Sequence, residues 1–335
     1  MKPKQSIGKM KPYNPPLEGR RGKLRLDFNE NTVGCSPKAI EALKNIKPED
    51  IAGYPEYSGF EKKLAKDCKV KQDNLMITNA GDEAIMVLMQ SFIEKGDEVI
   101  VPTPTFAMFG FYSQIAGARI KEVLYKKNLE FPAEEVLGSI TDKTKMVILV
   151  SPNNPTGTSI KRQDMIKIIK KAKDSIVVLD EAYYQFSGNS YISLIKKFDN
   201  LAILRTFSKA YGLAGLRLGI LFANKRMIKT LKKVRSPYSI SQAAIIAADA
   251  ALEDKDFIRN YVKDILKSKE YCCNKLGSLG IRYVKGDANF VLAYFGKRAK
   301  KVAERLKKRD ILVRDRSSYP LLEGFVRITI GTKEQ

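Results

Sequence analysis

The 335-residue sequence contains no histidine and no tryptophan. Without imidazole, every Ser–His and Cys–His nucleophile pair is excluded, as is every metal site that needs histidine. Cysteine is scarce, with only Cys35, Cys68, Cys272 and Cys273. None forms a C-x-x-C pair, and the two adjacent ones are badly placed to bridge each other. Reduced thiols in a cytoplasmic protein are therefore expected. No apolar run approaches the ~18 residues of a membrane span. The richest stretch, 243–252, is short and carries Asp249. Residues 1–11 are basic but show neither an apolar core nor a cleavage pattern, so neither a signal peptide nor a membrane partner is expected.

Negative charge is also in short supply. Asp and Glu total 37 against 60 Lys and Arg, a net charge of +23. Such a surplus could mark a nucleic-acid surface. Here the basic residues form many short groups, such as Lys126-Lys127 and Lys307-Lys308, and no nucleic-acid motif accompanies them. They read as solvated helix faces, with no nucleic-acid partner, whose field would draw in anionic small molecules.

What is present is the composition of a globular protein, 44% apolar and 29% charged, long enough for about two domains. Short apolar runs at 74–78, 98–101, 146–150, 176–180, 201–205 and 218–223 read as buried strands. Stretches with apolar residues three to four apart lie between several of them, at 83–94 and 163–173. That alternation predicts an α/β large domain, a mostly parallel central sheet flanked by helices. Beyond residue 240 the texture changes to long helices at 241–252 and 257–279, then shorter strands and a helix at 298–309. A smaller α+β domain is expected there. The division is 44–240 for the large domain, with 1–43 and 241–335 forming the N-terminal arm and small domain.

Ligands on parallel sheets bind beyond the carboxyl ends of the strands. Reading those ends in order gives Phe106 after the second run and Asn154-Pro155-Thr156-Gly157 after the third. Asp180 with Tyr183 follows the fourth, and Thr206, Ser208, Lys209 and Arg217 follow the fifth. An amide, a carboxylate, a lysine flanked by hydroxyls and an arginine would thus meet at one cleft edge.

This ordered set resembles the fold-type I pyridoxal-phosphate enzymes, and more closely the histidinol-phosphate aminotransferase family. The resemblance extends to residues 26–31, Tyr54-Pro55, Gly81-Asp82-Glu83 and the segment 326–332 around Arg327. It implies pyridoxal 5'-phosphate as cofactor, with Lys209 forming a Schiff base to its aldehyde and then moving protons. Asp180 would pair with the pyridinium nitrogen and keep the ring an electron sink. Asn154 and Tyr183 would donate to the phenolic oxygen, and Phe106 would stack on the ring. The phosphate would sit at the helix start Gly81-Asp82-Glu83, held by backbone N–H groups, with Thr206, Ser208 and Arg217 completing the cup. Arg327 would grip a substrate carboxylate beside Asn154, with Arg314 and Tyr13 as further contacts for an anionic group.

The resemblance implies transamination between an amino donor and a 2-oxo acid, with histidinol phosphate and 2-oxoglutarate the favoured pair. An aromatic amino acid aminotransferase and a threonine-phosphate decarboxylase are the alternatives. It further implies a homodimer in which Tyr54 reaches the partner's cofactor phosphate. Family members usually continue into a closing helix, whereas eight residues, 328–335, follow Arg327 here.

Overall fold

A computed structural model describes residues 2–8 and 10–335. After a short strand β1 (Leu24–Arg25), the large sheet is built from β2 (Leu75–Asn79), β3 (Glu98–Thr103), β4 (Arg119–Leu124), β5 (Thr144–Val150), β6 (Ile176–Asp180), β7 (Leu201–Thr206) and β8 (Leu218–Phe222). Their spatial order is β2-β8-β7-β6-β5-β3-β4. β8 runs antiparallel to both neighbours, and the other pairings are parallel.

The near-continuous apolar runs follow from burial on both faces. Successive residues of each strand feed different cores. Ile77, Ile100, Val147, Leu149, Val177, Leu179 and Ile203 pack with the helices Ser58–Asp67, Arg162–Lys171 and Gln242–Glu253. Met76, Val99, Val101, Ile148, Val150, Val178 and Leu204 face the helices Ala80–Phe92, Ala107–Ala116 and Lys225–Leu231. The period-two alternation of a strand thus splits one sheet between two cores.

One strand departs from the sequence reading. β4 was not expected, because an edge strand with one covered face carries exposed Arg119, Glu122 and Leu124 and shows no apolar run. Ala244, Ala247, Ala248 and Ala251 belong to the core of the large sheet, together with Ala39 from helix Pro37–Lys44. Small alanines let these helices lie close to their neighbours.

The smaller unit holds β9 (Tyr283–Val284), β10 (Phe290–Tyr294), β11 (Ile311–Leu312), β12 (Arg314–Asp315) and β13 (Phe325–Thr329). Four of them form an antiparallel sheet in the order β12-β13-β10-β9. β11 instead pairs with β1, so the N-terminal segment is stitched to this unit. The long helix Lys255–Ser278 covers the sheet through Ile258, Tyr261, Ile265 and Leu276.

The two units touch where Gly157, after β5, meets Gly286, before β10. A Cβ at Gly286 would lie 2.7 Å from the Gly157 Cα, and both residues have positive φ. Asp287 N–H donates to the Gly157 carbonyl at 2.7 Å. From the other side Lys269, only 1% exposed, donates to the carbonyls of Gly286 and Ala288, each at 2.7 Å. Burial pushes its ammonium down to about 8.

Candidate active site

The order of strands reverses between β3 and β5, the place where such sheets hold ligands. Residues after β3 and β5 form one wall, riveted by Asn153. This fully buried amide donates to Pro104 O and Thr156 Oγ1, both at 2.9 Å, and accepts from Thr105 Oγ1 at 2.7 Å. It therefore fixes the loop carrying Asn154 against the loop carrying Phe106. Phe106 precedes helix Ala107–Ala116 and meets Phe109 edge-on at 6.2 Å.

Asp180 lies half-buried at the end of β6. Burial pushes its carboxyl up to about 7, against the opposing pull of the Ala182 N–H, 2.9 Å away, and the Lys209 ammonium. Its neighbour Glu181 is fully buried and points the other way. It accepts from Arg205 at 2.8 Å and from the Tyr191 N–H at 2.5 Å, and Arg205 stacks on Tyr184 at 3.8 Å. This buried pair clamps the turn that presents Asp180 and Tyr183.

Lys209 crosses the cleft and donates to Phe28 O at 2.9 Å, with its Nζ 5.7 Å from the centre of the Tyr183 ring. The Tyr183 hydroxyl accepts from Asn29 Nδ2 at 2.9 Å and keeps its own proton to give. Residues 27–31 thus close the cleft. Asn29 bonds Thr329 through its N–H and its side-chain oxygen, and Asn31 donates to Ala210 O at 3.0 Å.

At the far end Thr206 Oγ1 and Ser208 Oγ are 2.9 Å apart, facing the start of helix Ala80–Phe92. A Cβ at Gly219 would come within 2.5 Å of Ala80, so only glycine lets that helix start seat on β8. Gly81, Asp82 and Glu83 form its first turn. Glu83 accepts from Asn79 N–H and Ser239 Oγ, which is a capping role. Asp82, however, pairs with the half-exposed Arg217 at 2.6 Å.

Arg327 on β13 is 3% exposed. It donates to Asn154 Oδ1 and to Asp27 O, while its Nε has no partner. Burial, with Arg316 and Arg314 nearby, pushes its guanidinium down to about 9. Arg314 pairs across the sheet with Arg327, and Tyr13 lies close enough to Arg316 to bear on its charge. Tyr54 is not part of this cleft. It is 79% exposed and stacks on Tyr238 at 4.4 Å. A cavity of about 680 Å³ lies between helix Lys255–Ser278 and residues 332–334, and no site residue lines it.

The arrangement has a carboxylate in want of a cation, a reachable amine, and hydroxyls at a helix N-terminus suited to phosphate. These fit the ring nitrogen, aldehyde and phosphate of the cofactor that the resemblance implies. The model for aminotransferase class I and II matches residues 21–335. The chain belongs to the class I and II aminotransferases.

Relatives of this aminotransferase include a histidinol-phosphate aminotransferase of Thermoanaerobacter sp. (strain X514), 38% identical over 317 residues, 93% of this chain and 90% of that one. One from Methanocaldococcus jannaschii is 37% identical over 322 residues, 93% and 86% of the two chains. The solved histidinol-phosphate aminotransferase of Sinorhizobium meliloti, in complex with pyridoxal-5'-phosphate, is similar with a TM-score of 0.86 at 25% identity, covering 92% of this chain and 86% of that one. The expected large domain, with a mostly parallel central sheet flanked by helices, and the separate small domain are those of this fold.

Asn153, Asn29, Glu181 and Arg316 escaped the sequence reading. Asn153 stood in plain view beside Asn154, and burial alone separates their roles. Arg316 lies two residues from Arg314, and strand alternation would have placed both on one face.

Proposed function

We propose that this aminotransferase uses pyridoxal 5'-phosphate to exchange an amino group between histidinol phosphate and 2-oxoglutarate. The observation that carries the reading is Arg327, a buried guanidinium with donors to spare, beside Asn154. The names of the relatives support the substrate.

When bound, the cofactor supplies a conjugated electron sink for the pair released at the substrate carbon. Asp180 would face its ring nitrogen. Tyr183 and Asn154 would donate to its ring oxygen, and Phe106 would cover one face. Gly81, Asp82 and Glu83 would offer backbone N–H groups to its phosphate, with Thr206 and Ser208 adding hydroxyls. Arg217 would exchange Asp82 for the stronger dianion. Lys209 holds and returns the proton at the substrate carbon, since its amine already spans the cleft. Arg327 orients a carboxylate of glutamate or 2-oxoglutarate so that the labile C–H faces Lys209. Residues 27–31 and Phe28 help exclude water.

A substrate panel tests this. Holoenzyme is mixed with histidinol phosphate, phenylalanine, tyrosine or O-phosphothreonine, and the loss of cofactor absorbance and any release of carbon dioxide are followed. Histidinol phosphate should react fastest, without carbon dioxide. Preference for an aromatic amino acid, or decarboxylation of the phosphothreonine, would replace this reading with the corresponding one.

The same reading makes the enzyme a cytoplasmic homodimer with shared sites, its large domain near 44–240 and the remainder small. Among the described residues no helix is long and apolar enough to cross a membrane. The exposed Tyr54–Tyr238 stack supports an interface at that surface. A mixed dimer of Tyr54→Phe and Lys209→Ala chains tests the sharing. If Tyr54 serves the partner, one site carries both lesions and the other is intact, so about half the wild-type activity survives. A surviving site with Tyr54→Phe kinetics would refute it.

A further inference from the structure

Backbone pairing holds the N-terminal segment as far as Leu26, whose N–H donates to Leu312 O at 2.8 Å and whose carbonyl accepts from Thr329 N–H at 2.9 Å. Residues 27–31 then leave the ladder and close the cleft. On this stretch the Asp27 carbonyl accepts from Arg327, and Asn29 Nδ2 donates to the Tyr183 hydroxyl at 2.9 Å. Asn29 does so from a left-handed conformation, with φ at 56°, which a side chain adopts at a cost and which its surroundings must hold.

Arg20 grips this stretch from the side away from the cleft residues. Its guanidinium makes two forked contacts. Nη2 and Nε donate to the Asp27 carboxylate at 2.7 and 3.3 Å, and Nη2 and Nη1 donate to the Glu30 carboxylate at 2.7 and 3.3 Å. The central carbon of the same group lies 3.9 Å from the centre of the Phe28 ring. One side chain thus engages residues 27, 28 and 30 and spans the left-handed residue 29. The Arg20 side chain is 11% exposed and that of Asp27 5%, so solvent screens the pair weakly. Arg25 reaches Glu30 at 3.9 Å, but among the described residues the Asp27 carboxylate accepts hydrogen bonds from Arg20 alone.

We propose that Arg20 is a positioning residue for the reaction: by clamping Asp27 and Glu30 across Phe28 it fixes the segment whose Asp27 carbonyl aims Arg327 at the substrate carboxylate. The proposal rests on the reading above for the role of Arg327 but not for the hold on the segment. Arg20 acts through that segment, since its forks face the two carboxylates. A guanidinium aimed by a neighbouring carbonyl loses direction when the carbonyl moves, and a misplacement of about 1 Å can cost ~100-fold. Lysine cannot stand in for Arg20, because a point charge cannot fork to two carboxylates while covering a ring.

The test compares holoenzymes of wild type, Arg20→Met, Arg20→Lys and Glu30→Gln. Affinity for succinate, a dicarboxylate that does not react, is measured by calorimetry, with KM and kcat for glutamate and with amide exchange across the chain by mass spectrometry. In Arg20→Met, succinate affinity should fall and KM for glutamate should rise ~10–100-fold, while kcat stays within about fivefold. Exchange over residues 27–31 should quicken roughly tenfold, with β5, β6 and β7 unchanged. Arg20→Lys should recover a small part of the affinity, and Glu30→Gln, which keeps the Asp27 contact, should weaken succinate about 2–5-fold. Unchanged succinate affinity in Arg20→Met, a loss in kcat as large as that in KM, or faster exchange spread over the large sheet would overturn the proposal. If Arg20→Met fails to fold, Glu30→Gln decides, and wild-type affinity and exchange in that variant would overturn the proposal. If Arg327→Ala binds succinate as tightly as wild type, the reading of Arg327 fails. Exchange over residues 27–31 then still decides whether Arg20 holds the segment.

Discussion

Replacing Arg327 by alanine removes the one fully buried guanidinium that faces both Asn154 and residue 27. Five N–H donors are available and two are engaged by neutral oxygens, so enough remain for a carboxylate to take a parallel pair. Each hydrogen bond to a charged group is worth about 1.5–3 kcal/mol. Truncating one partner of a buried charge pair costs about 2–5 kcal/mol. The overlap, ~3–5 kcal/mol, predicts a loss of roughly 100- to 4,000-fold in kcat/KM for glutamate and for 2-oxoglutarate. The loss should appear in single-turnover measurements on holoenzyme. Arg327→Lys should recover only a fraction, because a point charge cannot match the two-pronged geometry. Fold stability should change little. Burial already holds the guanidinium down to about 9, so its removal relieves desolvation while leaving Asn154 Oδ1 and Asp27 O without a donor. These effects oppose each other at about 1–3 kcal/mol, and the melting temperature should stay within ~5 °C. Unchanged kinetics with both dicarboxylates would show that the carboxylate is held elsewhere.

Three further outcomes are expected. Lys209→Ala should yield protein in which borohydride fixes no cofactor to the chain; fixation to any other lysine, found by peptide mapping, would redraw the site. Asp180 has its carboxyl raised to about 7 in the fold against 3.8 ordinarily, so the folded state binds more protons between those values. Its contribution to stability is present at low pH and lost as pH rises through about 7. Thermal melts of cofactor-free protein from pH 5 to 8 should show this decline, and Asp180→Asn should remove it; equal slopes in both proteins would reject the assignment. Glu181→Ala leaves Arg205 buried without its carboxylate and should cost about 3–5 kcal/mol by urea denaturation, whereas a loss below ~1 kcal/mol would mean the pair does not clamp the turn.

By itself the sequence determined every strand of the large sheet except β4, and the side chains at their ends. Buried parallel strands must be apolar on both faces, so β5, β6 and β7 stand out as runs, and the first polar residue after each run, such as Asp180, falls at the cleft by construction. β4, an edge strand with exposed charged residues, carries no such mark, and it and the two-residue β12 emerged only from their pairing. The tertiary structure alone decided which polar residue points inward. Asn153 and Asn154 are neighbours of one type, yet one rivets two loops and the other meets Arg327. Asp180 and Glu181 divide in the same way between cleft and clamp. It also decided that Arg217 meets Asp82 and that Arg314, Arg316 and Arg327 share a face. Such choices depend on contacts between residues far apart in the chain, as when Asn29 binds Thr329 and Tyr183, and no local pattern encodes a partner at that distance.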